Sequence, residues 1–143
     1  MLAESGEYLL IHGIYILITG RLFVQPTQEA TMDPVLETVL GSRSATQTLL
    51  FLQAYGSGHA SRIAATYDVP LNPIYMQLRR LEAGGVLVSR MVGRTRVFEF
   101  DPRNPTVRHL RDFLDAELEL LSDEQVKKYY RQRQRPRRTG KGL

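Results

Sequence analysis

The hydrophobic period changes at Gly84-Gly85, and that change limits the folds open to this chain more than any other feature. Before it, Ile74, Leu78 and Leu81 recur at i, i+4 and i+7, the spacing of one buried helix face. After it, residues 86–92 and 96–100 are β-rich runs that read as strands. Gly93-Arg94-Thr95 separates the two runs and predicts a hairpin with a turn of about three residues. On the second run Phe98 and Phe100 share one face, while Val97, Glu99 and Asp101 take the other.

Upstream the pattern is helical from Met32. Asp33 is a good N-cap and Pro34 suits the first helical position, where its missing N–H costs nothing. That short helix is expected to stop at Gly41. Ser44 is read as the cap of a second helix, with Leu49, Leu50, Leu52 and Tyr55 on its apolar stripe and Gly56 and Gly58 ending it. Residues 60–67 read as a third helix with Ile63, Ala64 and Tyr67 facing in. Residues 68–71 form a turn that includes Pro70, and residues 72–83 a fourth helix. Downstream, Pro102 and Pro105 bracket a loop, and residues 107–121 predict the longest helix, striped by Val107, Leu110, Leu114, Leu118 and Leu121. Ser122 and Asp123 can cap a further helical stretch to about residue 134. Of Tyr129 and Tyr130, which precede the tail, one is expected to pack back on the core.

Residues 1–31 read differently. Residues 8–18 are an apolar run broken by His12 and Gly13, too short for a membrane span of about 20 residues. Glu4 and Glu7 precede it where a signal peptide carries basic residues. The run suits a buried strand or a hairpin around Gly20. The expectation is an N-terminal extension ahead of a domain that starts at Met32.

Charge is segregated along the 143 residues. Residues 1–42 hold five acids against Arg21, and residues 43–111 hold ten arginines against Asp68, Glu82, Glu99 and Asp101. Residues 112–126 hold six acids and no base; residues 127–143 hold eight bases and no acid. The formal total is only +4, but two separate basic blocks point to an anionic polymer as partner.

The order helix, helix, helix, turn, helix, hairpin, helix sets a helix-turn-helix beside a two-stranded wing. With LGSR at 40–43, IAATYDVP at 63–70, IYMQLRRLEAGGVL at 74–87 and GRTRVFEF at 93–100, the segment from Leu40 to Asp101 resembles winged helix-turn-helix transcriptional regulators of the ArsR/MarR type. The implied fold is mainly α with a small β-hairpin wing, followed by extra C-terminal helices and a disordered basic tail. The implied organisation is an extension at 1–31, a DNA-binding domain at 32–104, C-terminal helices at 105–134 that serve dimerisation, and a tail at 135–143. Asp68 and Pro70 depart from the resemblance, standing where Gly and a Ser or Thr cap are usual.

Reading DNA requires a helix whose exposed face carries donors and acceptors in the major groove. With Ile74, Leu78 and Leu81 buried, the opposite face of the fourth helix holds Asn72, Met76 and Arg79, flanked by Tyr75, Gln77 and Arg80. These six are the candidate base-reading residues. Arg94, Thr95 and Arg96 on the wing, with Arg43 and Arg62 near helix N-termini, are candidates for the backbone and the minor groove. The tail residues Lys127, Lys128, Arg131, Arg133, Arg135, Arg137, Arg138 and Lys141 suit an arm that tracks phosphates.

The chain has no cysteine, which removes disulfides, thiolate metal sites and thiol nucleophiles. Among its histidines, His109 stands three residues before Asp112, a pairing more often found on a plain surface than in a metal site; no metal and no cofactor are expected. No nucleophile elbow, P-loop or dinucleotide motif is present, so an enzyme is not expected. The expected partners are double-stranded DNA and a second copy of the chain, with no membrane contact, an effector that cannot be read, and a cytoplasmic, nucleoid-associated location. Two other classes compete: a winged-helix protein-interaction or antitoxin-like adaptor, and an RNA-binding protein that uses the basic tail.

Overall fold

The computed structural model describes residues 8–11, 14–17 and 32–131. The chain divides into two compact units, Met1–Thr31 and Met32–Leu143. In the first, strands β1 (Tyr8–Ile11) and β2 (Ile14–Leu17) pair antiparallel with Ile11 opposite Ile14. The reversal therefore falls between Ile11 and Ile14. The expected reversal point, Gly20, lies outside the described residues.

The second unit is a winged helix. Helix α1 (Pro34–Leu40) starts as expected, with the Asp33 carboxylate accepting from the Val35 N–H at 2.9 Å and Pro34 in the first turn. It ends on Gly41 at φ +98°. Helix α2 (Arg43–Tyr55) is capped by Ser42, whose hydroxyl accepts from the Ala45 N–H at 3.1 Å, and not by Ser44. Ser42 wins because its extended backbone leaves it outside the helix, while Ser44 already lies in the first turn.

Residues 45–52 of α2 are buried on every side, so α2 is the axis of the unit and not an amphipathic surface helix. It packs against α1 and against the helices that follow. Its buried hydroxyls stay satisfied: Thr46 donates to the Ser42 carbonyl and Thr48 to that of Ser44.

A two-residue strand, β3 (Ser57–Gly58), follows where only a helix stop was expected. Gly58 is required there, because a Cβ would sit 2.5 Å from Cε1 of the buried Phe51 ring. Helix α3 spans Ala60–Tyr67, the expected bounds, and buries Ile63, Ala64 and Tyr67. Asp68 then takes the left-handed conformation (φ 53°, ψ 51°), which Asp adopts more readily than most side chains. Helix α4 (Leu71–Ala83) begins one residue earlier than expected, behind Pro70, which provides no side-chain cap. Ile74, Leu78 and Leu81 are its buried face.

Strands β4 (Leu87–Val92) and β5 (Thr95–Phe100) form the wing, with Val92 opposite Thr95. The loop is thus two residues, Gly93-Arg94, instead of three, with Gly93 at φ +64° as a tight hairpin requires. Strand β3 pairs with Phe98 and Glu99, so β5 is the middle of three strands. Helix α5 (Pro105–Glu119) is capped by Asn104 and starts two residues before the expected 107. Of its apolar stripe only Val107 and Leu114 are buried; Leu110, Leu118 and Leu121 are half-buried.

Ser122 forms a capping box with Gln125 over the short helix α6 (Asp123–Gln125). The chain then widens into a π-helical turn, Val126–Tyr130, where a regular helix was expected; the expected end at about 134 lies outside the described residues. Its tyrosines anchor this turn to the unit. Tyr129 is buried, the Tyr55 hydroxyl donates to its carbonyl, and Tyr130 shares a hydrogen bond with Tyr67.

Candidate nucleic-acid interface

Antiparallel partners share a face of the sheet, so the register orders the inner face of the wing in pairs. Leu87 faces Phe100, Ser89 faces Phe98, and Met91 faces Arg96. Burial falls along that series, from Leu87 and Phe100 in the core, through half-buried Ser89, to Met91 and Arg96 in solvent. Arg96 is therefore on the side of the wing that continues the core towards α4. The helical turn of 3.6 residues aligns Leu71, Tyr75, Arg79 and Glu82 along the shoulder of α4 next to its buried stripe. Asn72 and Met76 point directly away from that stripe, and Gln77 and Arg80 fall on the far shoulder.

A cleft of about 260 Å³ opens between these parts. It is lined by His59, Ala60 and Ser61 at the start of α3, Leu71 and Tyr75 on α4, and Arg94, Thr95, Arg96 and Phe98 on the wing. His59 is the N-cap of α3: its Nδ1 accepts from the Arg62 N–H at 3.3 Å. That acceptor role leaves the ring proton on Nε2. The cleft thus gathers two guanidiniums, a phenol and an imidazole N–H beside the first turn of a helix, a set suited to an anionic oxygen.

The candidate base-reading residues do not form one uniform face. Asn72, Tyr75, Met76, Arg79 and Arg80 are exposed, and Gln77 is half-buried. Arg80 Nε donates to the Gln77 side-chain oxygen at 2.9 Å, one turn back on the same shoulder. Arg79 turns towards the wing, its Nη1 2.8 Å from Glu82. Arg43 pairs with Glu37 of α1 at 3.0 Å and is not among the residues that line the cleft. Arg62 is half-buried on α3. Of the tail, Lys127, Lys128 and Arg131 are exposed, and Lys128 Nζ sits 5.2 Å from the Tyr129 ring centroid. Arg133, Arg135, Arg137, Arg138 and Lys141 lie outside the described residues.

Three contributors escaped the sequence reading. Glu82 ties α4 to the wing, accepting from the Ser89 hydroxyl on β4 and lying 3.9 Å from Arg96 Nη1 on β5. Leu71, expected in the turn, opens α4 and lines the cleft. His59 is a cap and a cleft residue together. The spacings of Arg79 with Glu82 and of His59 with Arg62 are local, i to i+3, whereas the contacts of Glu82 with Ser89 and Arg96 join distant segments.

Helix α5 is tied to α2 and to the buried end of β5. Arg111 Nε donates to Gln53 at 3.0 Å and its guanidinium lies 5.6 Å from the Phe100 ring centroid, while Gln53 donates to Asp115 at 2.6 Å. Asp101 accepts from the Arg103 backbone N–H and side chain, which holds its carboxyl below the usual carboxylate range and fixes the exit from β5. Among the described residues, no three His, Asp or Glu side chains gather as a metal site would need. No described helix is long and apolar enough to cross a membrane.

No family model matches the chain, and no curated protein matches it. Among solved structures, it is similar to the AntR antimony-specific transcriptional repressor at 18% identity, covering 69% of this chain and 96% of that one, with a TM-score of 0.47. It is also similar to a MarR-family transcriptional regulator from Silicibacter pomeroyi at 20% identity, covering 58% of this chain and 56% of that one, with a TM-score of 0.45.

Proposed function

We propose that this chain is a sequence-specific double-stranded DNA-binding transcriptional regulator. Helix α4 enters the major groove, with Asn72, Met76 and Arg80 on its outward side reading base edges and Arg79 and Tyr75 on the wing side. Arg94 and Arg96 meet the backbone or the minor groove, and the basic residues from 127 onward neutralise further phosphates. The observation that carries the reading is the basic cleft between α4 and the wing, where Arg94, Arg96 and His59 line one space. A second copy of the chain is the proposed partner protein. Phe113 and Leu120, exposed on and just beyond α5, beside the half-buried Leu110 and Leu118, support an interface there. Two-fold symmetry would then match a palindromic operator.

Selection of bound genomic fragments followed by sequencing tests the reading. An enriched motif whose enrichment falls in Arg79→Ala and Arg80→Ala supports it; uniform affinity, unchanged by both substitutions, refutes base reading.

One observation favours a second reading. Leu71, Tyr75, Met76, Met91 and Val92 are all exposed on α4 and the wing, Met91 by 60%. A protein partner would cover such side chains, as a winged helix used as an adaptor would need. Met76→Ala and Met91→Ala separate the two: loss of a protein complex with DNA binding intact selects the adaptor.

A further inference from the structure

Glu82 is the meeting point of the recognition helix and the wing. Its Oε2 lies 2.8 Å from Arg79 Nη1 and 3.9 Å from Arg96 Nη1. Its Oε1 accepts from the Ser89 hydroxyl. One carboxylate therefore faces donors from α4, β4 and β5. The acid is the sheltered member, its side chain 24% exposed against 46% for Arg79 and 43% for Arg96. Both guanidiniums remain open to an incoming anion while turned towards an internal one.

A carboxylate between two guanidiniums holds the place that a phosphate oxygen takes in a protein–DNA complex. Exposed pairs of this kind are weakly held in water, so a phosphate that approaches with the right geometry can replace the acid. A phosphate that approaches poorly cannot. We infer that Glu82 is a specificity-determining residue: it withholds Arg79 and Arg96 from duplex of arbitrary sequence and yields them when the operator seats α4 fully. The inference rests on the DNA-binding reading above. It goes beyond that reading by giving an acidic residue a role that opposes binding.

The test is the salt dependence of binding to a random-sequence 30-base-pair duplex, alongside the selected operator. Glu82→Gln removes the charge while its amide oxygen still accepts from Ser89. Thermal melting first establishes that it folds. Its log K against log salt slope on random duplex should steepen by about 0.9 for each arginine released, up to two. At low salt its affinity there should rise on the order of fivefold, the effect of freeing two exposed pairs. Operator affinity should change less, so the specificity ratio falls.

Ser89→Ala, which leaves both ion pairs, should leave the slope unchanged. Arg96→Gln in the wild-type background should flatten it by less than 0.9, because the carboxylate already occupies that charge. This last measurement stands even if Glu82→Gln does not fold. A wild-type chain that binds no duplex at any salt overturns both the regulator reading and this inference. Wild-type binding with an unchanged slope in Glu82→Gln, or a full 0.9 lost in Arg96→Gln, overturns the inference alone.

Discussion

The hydroxyls of Tyr67 and Tyr130 lie 2.8 Å apart and share a hydrogen bond that joins the end of α3 to the end of the π-helical turn. Tyr129 stacks 5.1 Å from the Tyr67 ring centroid, and Tyr55 donates to the Tyr129 carbonyl. The π-helical turn is thereby pinned to α2 and α3. Burial pushes the Tyr67 and Tyr130 phenols well above the ordinary tyrosine range, the shared hydrogen bond opposing burial only for Tyr130.

A raised phenol has a definite sign in stability. Both states are protonated below about pH 10, so the contribution is constant there. Above it the unfolded chain loses its protons first, and stability falls as pH rises towards the folded values. Denaturant unfolding from pH 8 to 11 should show that fall, and Tyr130→Phe should make it shallower. At pH 8 the same variant should cost about 1 kcal/mol for the lost hydrogen bond. Parallel declines in both proteins would remove Tyr130 from the explanation.

Truncation can separate the anchor from the charge. A chain ending at Arg131 keeps Tyr129 and Tyr130 but discards Arg133, Arg135, Arg137, Arg138 and Lys141. It should melt like the full chain, while the salt slope for random duplex drops by about 0.9 per phosphate no longer neutralised. A chain ending at Val126 should also lose melting temperature. An identical slope in the first truncation would show that the arm does not touch DNA.

Base-reading and phosphate contacts predict different substitution patterns. Arg80→Ala should cost about 1–3 kcal/mol on the selected operator and relax the preference at one base position. Arg94→Ala should weaken operator and random duplex by similar factors. Fluorescence anisotropy on both duplexes distinguishes these, and matching effects from the two substitutions would contradict the assignment.

Gly58→Ala places a methyl group 2.5 Å from the buried Phe51 ring. The ring is enclosed by the core, so overpacking should cost about 1–3 kcal/mol of unfolding free energy. Phe51→Leu in the same chain should recover part of that loss. Strict additivity of the two changes would mean that the contact is not what excludes a side chain at 58.

Asp68 holds a left-handed conformation without being glycine. Asp68→Ala should therefore destabilise the unit by about 1 kcal/mol, and Asp68→Gly should not. Equal effects on the denaturation midpoint would point instead to the charge at 68.

Much of this architecture was legible because its signals are local. The i, i+4, i+7 spacing of Ile74, Leu78 and Leu81 marks a buried face whatever the partner, and α3 is bounded by residues that act within one turn. The alternation that set Phe98 apart from Val97 needed no knowledge of β4. Strand β3 could not be found that way. Two residues have no period, and Ser57 and Gly58 become a strand only by pairing with Glu99 and Phe98. The choice between Ser42 and Ser44 turned on a backbone angle, which composition does not encode. At the candidate site, Asn72, Tyr75 and Arg94 were visible as exposed polar positions. Glu82 was not, because its partners Ser89 and Arg96 reach it only after the hairpin folds back against α4.

The falling burial along the wing separates what the fold requires from what it tolerates. Positions 90–96 are all exposed, so side chains there can be exchanged while Leu87, Phe98 and Phe100 keep the framework intact. The outer hairpin is a replaceable cassette on a fixed mount. Grafting a foreign loop between Ser89 and Val97 is the natural route to redesigning it.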